Sequence, residues 1–335
     1  MTQALSKGNA TPKKNQWWTP VEKAFAGAKV QGLRVRCPKC GEWGTVITRW
    51  VKGPTVKPLY ILHIKWGKVR KVCELDQEQA NEVRTQVTLK KSDVKHLLET
   101  RKSFVMFSGG KDSLATLSYL KDLAESIGRE VTALYIDTTA GLPQTMENVR
   151  KICRSLKVKL EIVRPEIDYF TLVKEWGIPS FGKRWCCREL KIKPVADFLA
   201  KIEEPKVIFD GIRAVESFIR RQYIPIWYHP SFKCLSVSPI FDWSDEEVYN
   251  HIKGDGIPKE LLPTSMGTST ECWCGAYKTE SDFKKLYDLD RRMFHKLAKV
   301  EAGIKTGYTF LFNKKTRKKK PLKDLEREIL KEKKQ

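Results

Sequence analysis

Short apolar runs alternate with segments of helical periodicity from residue 103 onward. The runs SFVMF, VTALYID, KLEIVRP and KVIFDGI are typical of buried strands, and LATLSYLKDLAES, TMENVRKICRSL and KPVADFLAKI between them have the apolar spacing of helices. SVSPIFDW follows and leads into a helix that begins near Ser244. This alternation predicts an α/β fold, in which a parallel five-stranded sheet carries helices on both faces and the crossovers are right-handed.

The pattern before residue 101 is different and divides the chain into further segments. Residues 1–30 form a basic polar tail that we expect to be flexible, and residues 31–75 contain the short strand patterns TVITRWV, LYILHIKW and VRKVCEL. Polar residues with helical spacing predict a helical linker over 76–100. The α/β domain is expected to span 101–260, followed over 261–335 by a cysteine-containing cap and a basic C-terminal helix.

The net charge indicates a class of binding partner. The chain has 63 Lys and Arg residues against 40 Asp and Glu residues, which gives a net charge of +23. Such a charge attracts polyanions, either nucleic acid or a phosphate-rich substrate, although a lysine-rich, heat-stable surface is an equally good and compatible explanation. No run of about 18 apolar residues exists, so no membrane span is expected. The first residues lack the apolar segment of a secretory signal, and we expect a cytoplasmic protein.

The segment SGGKDS ends the first apolar run and opens the first helix of the α/β domain. Ligands of open α/β sheets bind beyond the carboxyl ends of the strands, and a helix N-terminus offers unpaired N–H groups to an anion. The segment is neither a Walker A loop nor a dinucleotide fingerprint. We predict a phosphate cradle here, and the alternative is an ordinary glycine-rich turn. The residues of the cradle are Ser108, Gly109, Gly110, Lys111, Asp112 and Ser113.

Nine cysteines occur, several at short spacings, which in a reducing cytosol is more typical of metal binding or redox chemistry than of disulfides. CPKCG at 37–41 has the form of a metal knuckle, and a closed tetrahedral zinc site needs four ligands. Cys73 and His63 are near enough in sequence to complete it, although His63 has the alternative role of a strand residue. The predicted ligands of this zinc-ribbon-like module are Cys37, Cys40, His63 and Cys73. Cys153 and Cys234 fit buried positions in a helix and a strand.

SGGKDS resembles the PP-loop of the ATP-pyrophosphatase (adenine nucleotide alpha hydrolase) superfamily. Four further segments resemble its phosphoadenosine phosphosulfate (PAPS) reductase branch, namely YIDTTAGLPQTMENV (135–149), RWCCRELKIKP (184–194), GIRAVESFIR (211–220) and SPIFDWSDEEVYNHI (238–252). The resemblance covers residues 103–276, with the segments in the family's order. It implies a PP-loop fold and an enzyme that binds an adenine nucleotide, either ATP with Mg²⁺ or PAPS.

The resemblance also implies roles for individual residues. Asp137 and Thr138 would lie near the ribose or adenine, and Gly211 would belong to the nucleotide site. The residues implied to surround the reacting sulfate or phosphate are Lys191, Arg213, Ser217 and Arg220. Arginine forks suit bidentate contacts with phosphate, which agrees with these roles. The expected catalytic residues are therefore Lys111, Asp112, Lys191, Arg213 and Arg220.

A second cysteine set consists of Cys186, Cys187, Cys272 and Cys274. Family members that reduce adenylylsulfate bind a four-iron cluster with a Cys-Cys pair and a later Cys-x-x-Cys, so the resemblance implies a [4Fe-4S] cluster at this set. The second pair is Cys-x-Cys in this chain, one residue shorter than the family pattern. Zinc binding and unliganded thiols therefore stay open as alternatives.

Two reactions fit the resemblance. In the favoured one, ATP adenylates a substrate oxygen, pyrophosphate leaves, and sulfur from a donor displaces the adenylate. Some RNA-thiolating relatives join a PP-loop domain to zinc ribbons and basic surfaces, so RNA, above all tRNA, is the expected acceptor. In the other, a thiol donor reduces PAPS or adenylylsulfate to sulfite, but no cysteine follows Cys274 to act as the tail nucleophile of such reductases. The intact loop argues against a third alternative, a non-catalytic nucleic-acid-binding protein.

The expected RNA contacts are basic residues in three places along the chain. They lie in the N-terminal tail, in the ribbon and in the tail from Lys314. In the ribbon they are Arg34, Arg36, Lys39, Arg49 and Lys52.

Overall fold

The computed structural model describes residues 33–48, 58–65, 68–180, 182–254, 257, 270–304, 307–312 and 318–334. The predicted N-terminal tail, Arg49, Lys52 and the basic residues 314–317 lie outside these ranges. The first described region is an antiparallel sheet in the order β1-β2-β3-β4. Its strands are β1 Arg34–Arg36, β2 Trp43–Thr48, β3 Leu59–Lys65 and β4 Lys68–Glu74. Strands β2, β3 and β4 lie where the short strand patterns of residues 31–75 predict them, and β1 is a short strand that none of those patterns covers.

Two helices connect this sheet to the α/β region. Helix α1 spans Gln77–Gln86 and begins at a capping box, in which the Asp76 carboxylate accepts a hydrogen bond from the backbone N–H of Gln79. Helix α2 spans Lys91–Thr100. Val83 and Leu97 are both fully buried in the same core as the antiparallel sheet, so the helical linker packs as part of the structure.

The central sheet has six strands in the order β7-β6-β5-β8-β10-β9. The strands are β5 Lys102–Met106, β6 Thr132–Ile136, β7 Lys159–Val163, β8 Lys206–Phe209, β9 Ile226–His229 and β10 Cys234–Val237. Five of them are parallel, which confirms the predicted parallel five-stranded sheet, and β9 adds an antiparallel edge next to β10.

Helices cover both faces of this sheet because its buried strands are apolar on both sides. On β5, Val105 packs into the core that holds Leu114 and Ile152, whereas Phe104 packs on the opposite face with Val195. The helices of this region are α3 Lys111–Glu125, α4 Pro143–Ser155, α5 Tyr169–Trp176 and α7 Asp245–Gly254. Helix α6 begins as Trp185–Cys187, passes through a π-helical turn at Arg188–Ile192 and continues as Lys193–Ala200.

A third core unites the cysteine segment with the C-terminal elements. These elements are α8 Glu280–Leu289, α9 Arg291–Gly303, the strand pair β11 Leu311–Phe312 and β12 Lys319–Lys320, and α10 Leu322–Glu332. Leu325 and Ile329 of α10 share this core with Cys186 and Cys274. The predicted basic C-terminal helix is therefore amphipathic, with one buried face. None of the helices in the described ranges has the length and apolar character needed to cross a membrane.

Candidate functional site

SGGKDS forms the turn between β5 and α3, at the carboxyl end of a central strand. Gly109 has a φ of +80°, a left-handed conformation that glycine adopts without steric cost. Gly110 is extended and caps α3, and its carbonyl accepts the first hydrogen bond of the helix from Leu114 N at 2.9 Å. The first N–H groups of α3 have no acceptor within the helix, so the turn places anion-binding donors where the strand ends.

Two serine hydroxyls hold this turn in shape. Ser113 Oγ donates to the Gly110 carbonyl at 2.9 Å and accepts from Ser108 N at 3.3 Å. Ser108 Oγ lies 3.1 Å from Ser113 Oγ and accepts from Gly110 N at 3.4 Å. The hydroxyls therefore organise the cradle from within.

Four charged side chains form a closed network at the start of α3. Arg213 donates from Nε to Asp112 Oδ1 and from Nη2 to Asp245 Oδ1, both at 2.7 Å. Lys111 Nζ donates to the same two oxygens, at 3.0 Å for Asp112 and 2.7 Å for Asp245. Arg213 Nη1 also donates to the Trp243 carbonyl at 3.0 Å. The network joins the loop, the segment after β8 and the start of α7.

Burial separates the fixed contacts of this network from the replaceable ones. The Arg213 side chain is 1% exposed and that of Asp112 23%, whereas Asp245 is 69% exposed. An exposed ion pair contributes about 0–1 kcal/mol, while breaking a buried one is costly. Burial alone would lower the pKa of Lys111, but its hydrogen bonds to Asp245 and Asp112 raise it overall, so it stays charged. A phosphate can therefore replace Asp245 as the partner of Lys111 at low cost.

Gly211 brings the segment after β8 against the start of α3. A Cβ atom on Gly211 would lie 2.8 Å from the Asp112 carbonyl oxygen and 2.9 Å from Ser113 N. Both are backbone atoms of the first turn of α3, so neither can move aside as a flexible side chain would. Any larger residue at 211 has to displace the cradle.

Replacing Gly211 with alanine should lower the free energy of unfolding by about 1–3 kcal/mol, because the added methyl group overpacks this contact. Thermal and urea denaturation measure the effect. Gly303→Ala is the matched control, since a Cβ atom there meets nothing within 4 Å. Equal stability of the two variants would contradict the close approach.

Asp137 directly follows β6, and its carboxylate accepts a hydrogen bond from the backbone of the loop that begins there. Its Oδ1 accepts from Thr139 N at 2.9 Å, and its Oδ2 lies 3.1 Å from Arg164 Nε. Arg164 also borders a cavity of about 480 Å³ beyond the end of β7, which Trp176 and Phe198 help to line. The position predicted for the ribose or adenine therefore has charged side chains and an open space beside it.

The buried Thr138 ties the loop after β6 to the segment that carries the second cysteine pair. Thr138 Oγ1 donates to the Glu271 carbonyl at 3.1 Å, and Trp273 N donates to the Ala140 carbonyl at 2.6 Å. A Cβ atom on Gly141 would lie only 2.5 Å from the Glu271 carbonyl oxygen. The two segments are thus in direct backbone contact.

Lys191 lies on the π-helical turn of α6 and reaches the same segment. Its Nζ donates to Glu271 Oε1 at 2.8 Å. Burial alone would lower the pKa of Lys191, but the charge of Glu271 and of nearby thiols raises it overall. Such π-helical turns occur frequently at functional sites.

Cys186, Cys187, Cys272 and Cys274 converge at the start of α6. Cys186 Sγ lies 3.4 Å from Cys274 Sγ, which joins the first cysteine pair to the second. Trp273 is fully buried between the last two cysteines in sequence, and within the described ranges its Nε1 has no hydrogen-bond partner. A buried donor of this kind calls for an acceptor that the polypeptide does not supply.

Cys37, Cys40, His63 and Cys73 place one ligand atom each within 4.8 Å of all the others. Cys40 Sγ is 3.4 Å from His63 Nε2 and 3.8 Å from Cys73 Sγ. A tetrahedral zinc with Zn–S bonds of about 2.3 Å spaces its sulfurs by about 3.8 Å, so the set has the size of a single-ion site. In the part of the chain that is described, no other group of three or more such atoms is this compact.

Local backbone features explain this convergence. Cys40 N and Gly41 N both donate to the Cys37 carbonyl, and Gly41 has a φ of +74°, which closes the knuckle. His63 Nδ1 is 3.2 Å from the Trp43 carbonyl, so its N–H donates there and Nε2 is left as the ligand atom. Burial raises the pKa of the Cys73 thiol to about 12, so this sulfur needs a metal to become a thiolate.

The segment 213–222, called here the 213–222 loop, contains two short 3₁₀ turns, Ala214–Glu216 and Arg220–Gln222. Ser217 directly follows the first turn, and Arg220 begins the second. Ser217 Oγ accepts from Arg220 N at 3.1 Å. Glu216 Oε2 accepts from Arg213 N at 2.9 Å and also pairs with Arg220. Glu216 and the hydrogen bonds of this loop therefore link Ser217 and Arg220 to the backbone of Arg213.

Comparisons with known proteins find a matching family and relatives for the central region of the chain. Residues 102–267 match the family described as the phosphoadenosine phosphosulfate reductase domain. An uncharacterized protein of Methanocaldococcus jannaschii is 34% identical over 229 residues, which are 64% of this chain and 47% of that protein. An adenosine 5′-phosphosulfate reductase of Lysinibacillus sphaericus is 25% identical over 46% of this chain and 66% of its own length.

Among solved structures, the phosphoadenylyl-sulfate (PAPS) reductase of Candida auris in its phosphate complex superposes with a TM-score of 0.42 at 21% identity. The superposition covers 60% of this chain and 97% of that one. This chain spans about half the length of the Methanocaldococcus jannaschii relatives that it matches.

Proposed function

Because residues 102–267 belong to the phosphoadenosine phosphosulfate reductase domain family, we propose that this protein is an enzyme that binds an adenine nucleotide at SGGKDS for sulfur chemistry. The reaction that we favour is cleavage of ATP between its α- and β-phosphates, coupled to sulfur transfer to RNA. One observation carries the proposal: the cradle is preformed, and the shorter of the two ion pairs of its lysine is with the exposed carboxylate of Asp245, which a phosphate can replace.

In this reaction an oxygen of the acceptor attacks the α-phosphorus of ATP. The bond from that phosphorus to the bridging oxygen breaks, and pyrophosphate leaves with the electron pair. The N–H groups at the start of α3 would bind the charge of the departing group, and Lys111 would move from Asp245 to its oxygens. Mg²⁺ would enter with the phosphates, as is usual for this ion. A sulfur nucleophile then displaces AMP from the adenylated carbon.

The two cysteine sets fit different metals. Cys37, Cys40, His63 and Cys73 would hold a structural zinc ion, since their ligand atoms have the spacing of a single tetrahedral ion. The ligand atoms of the second set are more spread. With the buried Trp273 N–H, which has no hydrogen-bond partner among the described residues, this favours an iron–sulfur cluster over one zinc ion. The second set is Cys186, Cys187, Cys272 and Cys274. When bound, such a cluster would supply or hold sulfur beside the nucleotide.

The test of the proposed function is a product assay on anaerobically purified protein. We expect Mg²⁺-dependent release of pyrophosphate and AMP from ATP, stimulated by RNA, with sulfur appearing in the RNA nucleosides by mass spectrometry. The same preparation is given PAPS and a thiol donor. Brisk sulfite release there, with no AMP from ATP on any RNA tried, would overturn sulfur transfer.

Reduction of PAPS or adenylylsulfate is the second candidate, and a specific observation favours it. The family and one of its relatives carry the names of sulfonucleotide reductases. Residues 275–335 contain no cysteine, so the attack on the sulfur atom would need a thiol from another part of the protein or from an external donor. If neither nucleotide is consumed while RNA binds, the protein is a non-catalytic nucleic-acid-binding member.

Binding to RNA should fall steeply with salt, because each neutralised phosphate releases counterions. The expected slope of log affinity against log salt is about −0.7 to −0.9 per contact. Deleting 314–335 would remove the buried face of α10, so replacing Lys314, Lys315 and Arg317 with glutamine is the sharper test. A salt titration should show a shallower slope for this variant. Weak binding of the unaltered protein at low salt would instead favour a heat-stable lysine-rich surface.

A further inference from the structure

The 213–222 loop exposes large apolar side chains close to the proposed nucleotide site. Phe218 is 74% exposed, the highest value of any large apolar side chain in the described ranges, and Val215 and Ile219 are 50% and 38% exposed. Three neighbouring apolar side chains in water form a patch of the kind that marks an interaction site.

The loop that displays this patch is held rigidly by hydrogen bonds. Ala214 N donates to the Phe241 carbonyl at 2.7 Å, which anchors the start of the loop. Arg221 N donates to the Ser217 carbonyl at 3.1 Å and Tyr223 N to the Arg220 carbonyl at 2.9 Å. Because these hydrogen bonds hold the fold of the loop, its exposed apolar side chains are left available for a partner.

The patch is within reach of the proposed reaction centre. Phe218 is five residues from Arg213, and an extended chain covers at most about 3.6 Å per residue, so their Cα atoms are no more than about 18 Å apart. Arg213 itself contacts Asp112 in the cradle. A molecule that covers Phe218 can therefore extend from there to the α-phosphate of a bound nucleotide.

Charge next to Phe218 indicates the chemistry of the partner. Arg220 and Arg221 lie two and three residues after it; Arg220 pairs with Glu216, whereas Arg221 has no ion-pair partner among the residues that the structure describes. Arg84 reaches the same loop, donating from Nε to the Gln222 carbonyl at 2.8 Å. An exposed aromatic ring flanked by arginines suits a single-stranded nucleic acid, in which unpaired bases stack on the ring and phosphates bind the guanidinium groups.

We propose that Phe218 is a stacking platform for an unpaired base of the RNA acceptor, with Arg221 binding an adjacent phosphate. The inference rests on the proposed function and deepens it, because it places the acceptor strand on the 213–222 loop beside the cradle. It also assigns the acceptor to single-stranded or looped RNA, since a base within a duplex cannot stack on the ring.

The test compares binding of a fluorescein-labelled oligouridine 12-mer and a 12-base-pair RNA duplex by fluorescence anisotropy. Phe218→Ala should weaken binding of the single strand about five- to hundredfold, the usual effect of losing one stacked base. Duplex binding, and binding of a fluorescent ATP analogue, should stay within twofold of the unaltered protein. Phe218→Trp should restore single-strand binding, and its indole fluorescence should be quenched by the oligouridine. Trp43→Ala is the control for an exposed aromatic residue on another part of the surface.

Three results would overturn the inference. Single-strand binding by Phe218→Ala as tight as that of the unaltered protein, or an equal loss of duplex binding, would make the contact independent of stacking. A change of mass in analytical ultracentrifugation on substitution, without a change in RNA binding, would assign the patch to a second copy of the chain. Failure of the unaltered protein to bind ATP would refute the proposed function separately, because single-strand binding is measured without nucleotide.

Discussion

Replacing Lys111 with alanine should weaken ATP binding about ten- to hundredfold and reduce pyrophosphate release at least as much. A hydrogen bond to a charged group contributes about 1.5–3 kcal/mol, which corresponds to this range of affinity. The fold should be retained, since the lysine pairs with Asp245, whose side chain is largely in water. Isothermal titration with a non-hydrolysable ATP analogue measures the binding, and a coupled pyrophosphate assay measures the rate.

Lys121→Ala is the matched control for this experiment. Lys121 lies on the same helix and pairs with Glu125 at 2.9 Å on the exposed side, away from the cradle. The control should bind ATP as the unaltered protein does. If both variants bind ATP equally well, SGGKDS is not a phosphate site.

Asp112 needs different treatment, because it holds the buried Arg213. Removing its carboxylate leaves a guanidinium that is 1% exposed with one anionic partner fewer, and breaking buried pairs costs stability. Asp112→Ala should therefore lower the melting temperature as well as nucleotide affinity, in contrast to Lys111→Ala.

Loss of metal is the second large effect that we expect. Cys40→Ser should abolish zinc binding and unfold the antiparallel sheet around it. In small zinc domains the metal contributes about 10–16 kcal/mol of binding free energy, and this is also folding free energy. Cys186→Ser should lose iron and sulfide but keep zinc. Metal analysis of anaerobically purified protein, with an absorbance spectrum for the cluster, measures both.

The control for the cysteine variants is Cys153→Ala, which removes a buried thiol of α4 that belongs to neither set. It should keep both metals in full. Iron retained by Cys186→Ser would disprove the assignment of the second set, and zinc retained by Cys40→Ser would disprove the assignment of the first.

Local patterns in the sequence were sufficient to place the SGGKDS turn between a strand and a helix and to predict the parallel strands. Two glycines between a buried strand and a helix specify their own turn, so the position of SGGKDS follows from neighbouring residues. The same holds for the knuckle at Cys37 and Cys40, where Gly41 supplies the left-handed residue. The alternation of β5 to β8 with helices likewise predicted the sheet.

Long-range partners could not be predicted in this way. The sequence identifies Asp245 only as an acidic residue at the start of a helix. In the structure it pairs with Lys111, which is 134 positions away. Glu271 has no motif of its own, and its pairing with Lys191 depends on how the cysteine segment packs. The role of His63 was open because its position beside Cys40 depends on the register of β3 with its neighbours. These contacts are products of the tertiary fold.

The backbone contact between the loop after β6 and the cysteine segment gives the proposed nucleotide and cluster sites a route by which each would affect the other. If thiol oxidation or loss of a cluster loosens Glu271 and Trp273, the support of Thr138 and Ala140 loosens with them. If loss of the cluster lowers nucleotide affinity by some factor, a bound nucleotide must raise the affinity for the cluster by the same factor. Exposure to oxygen would then weaken nucleotide binding, and a saturating nucleotide would slow thiol oxidation and loss of the cluster.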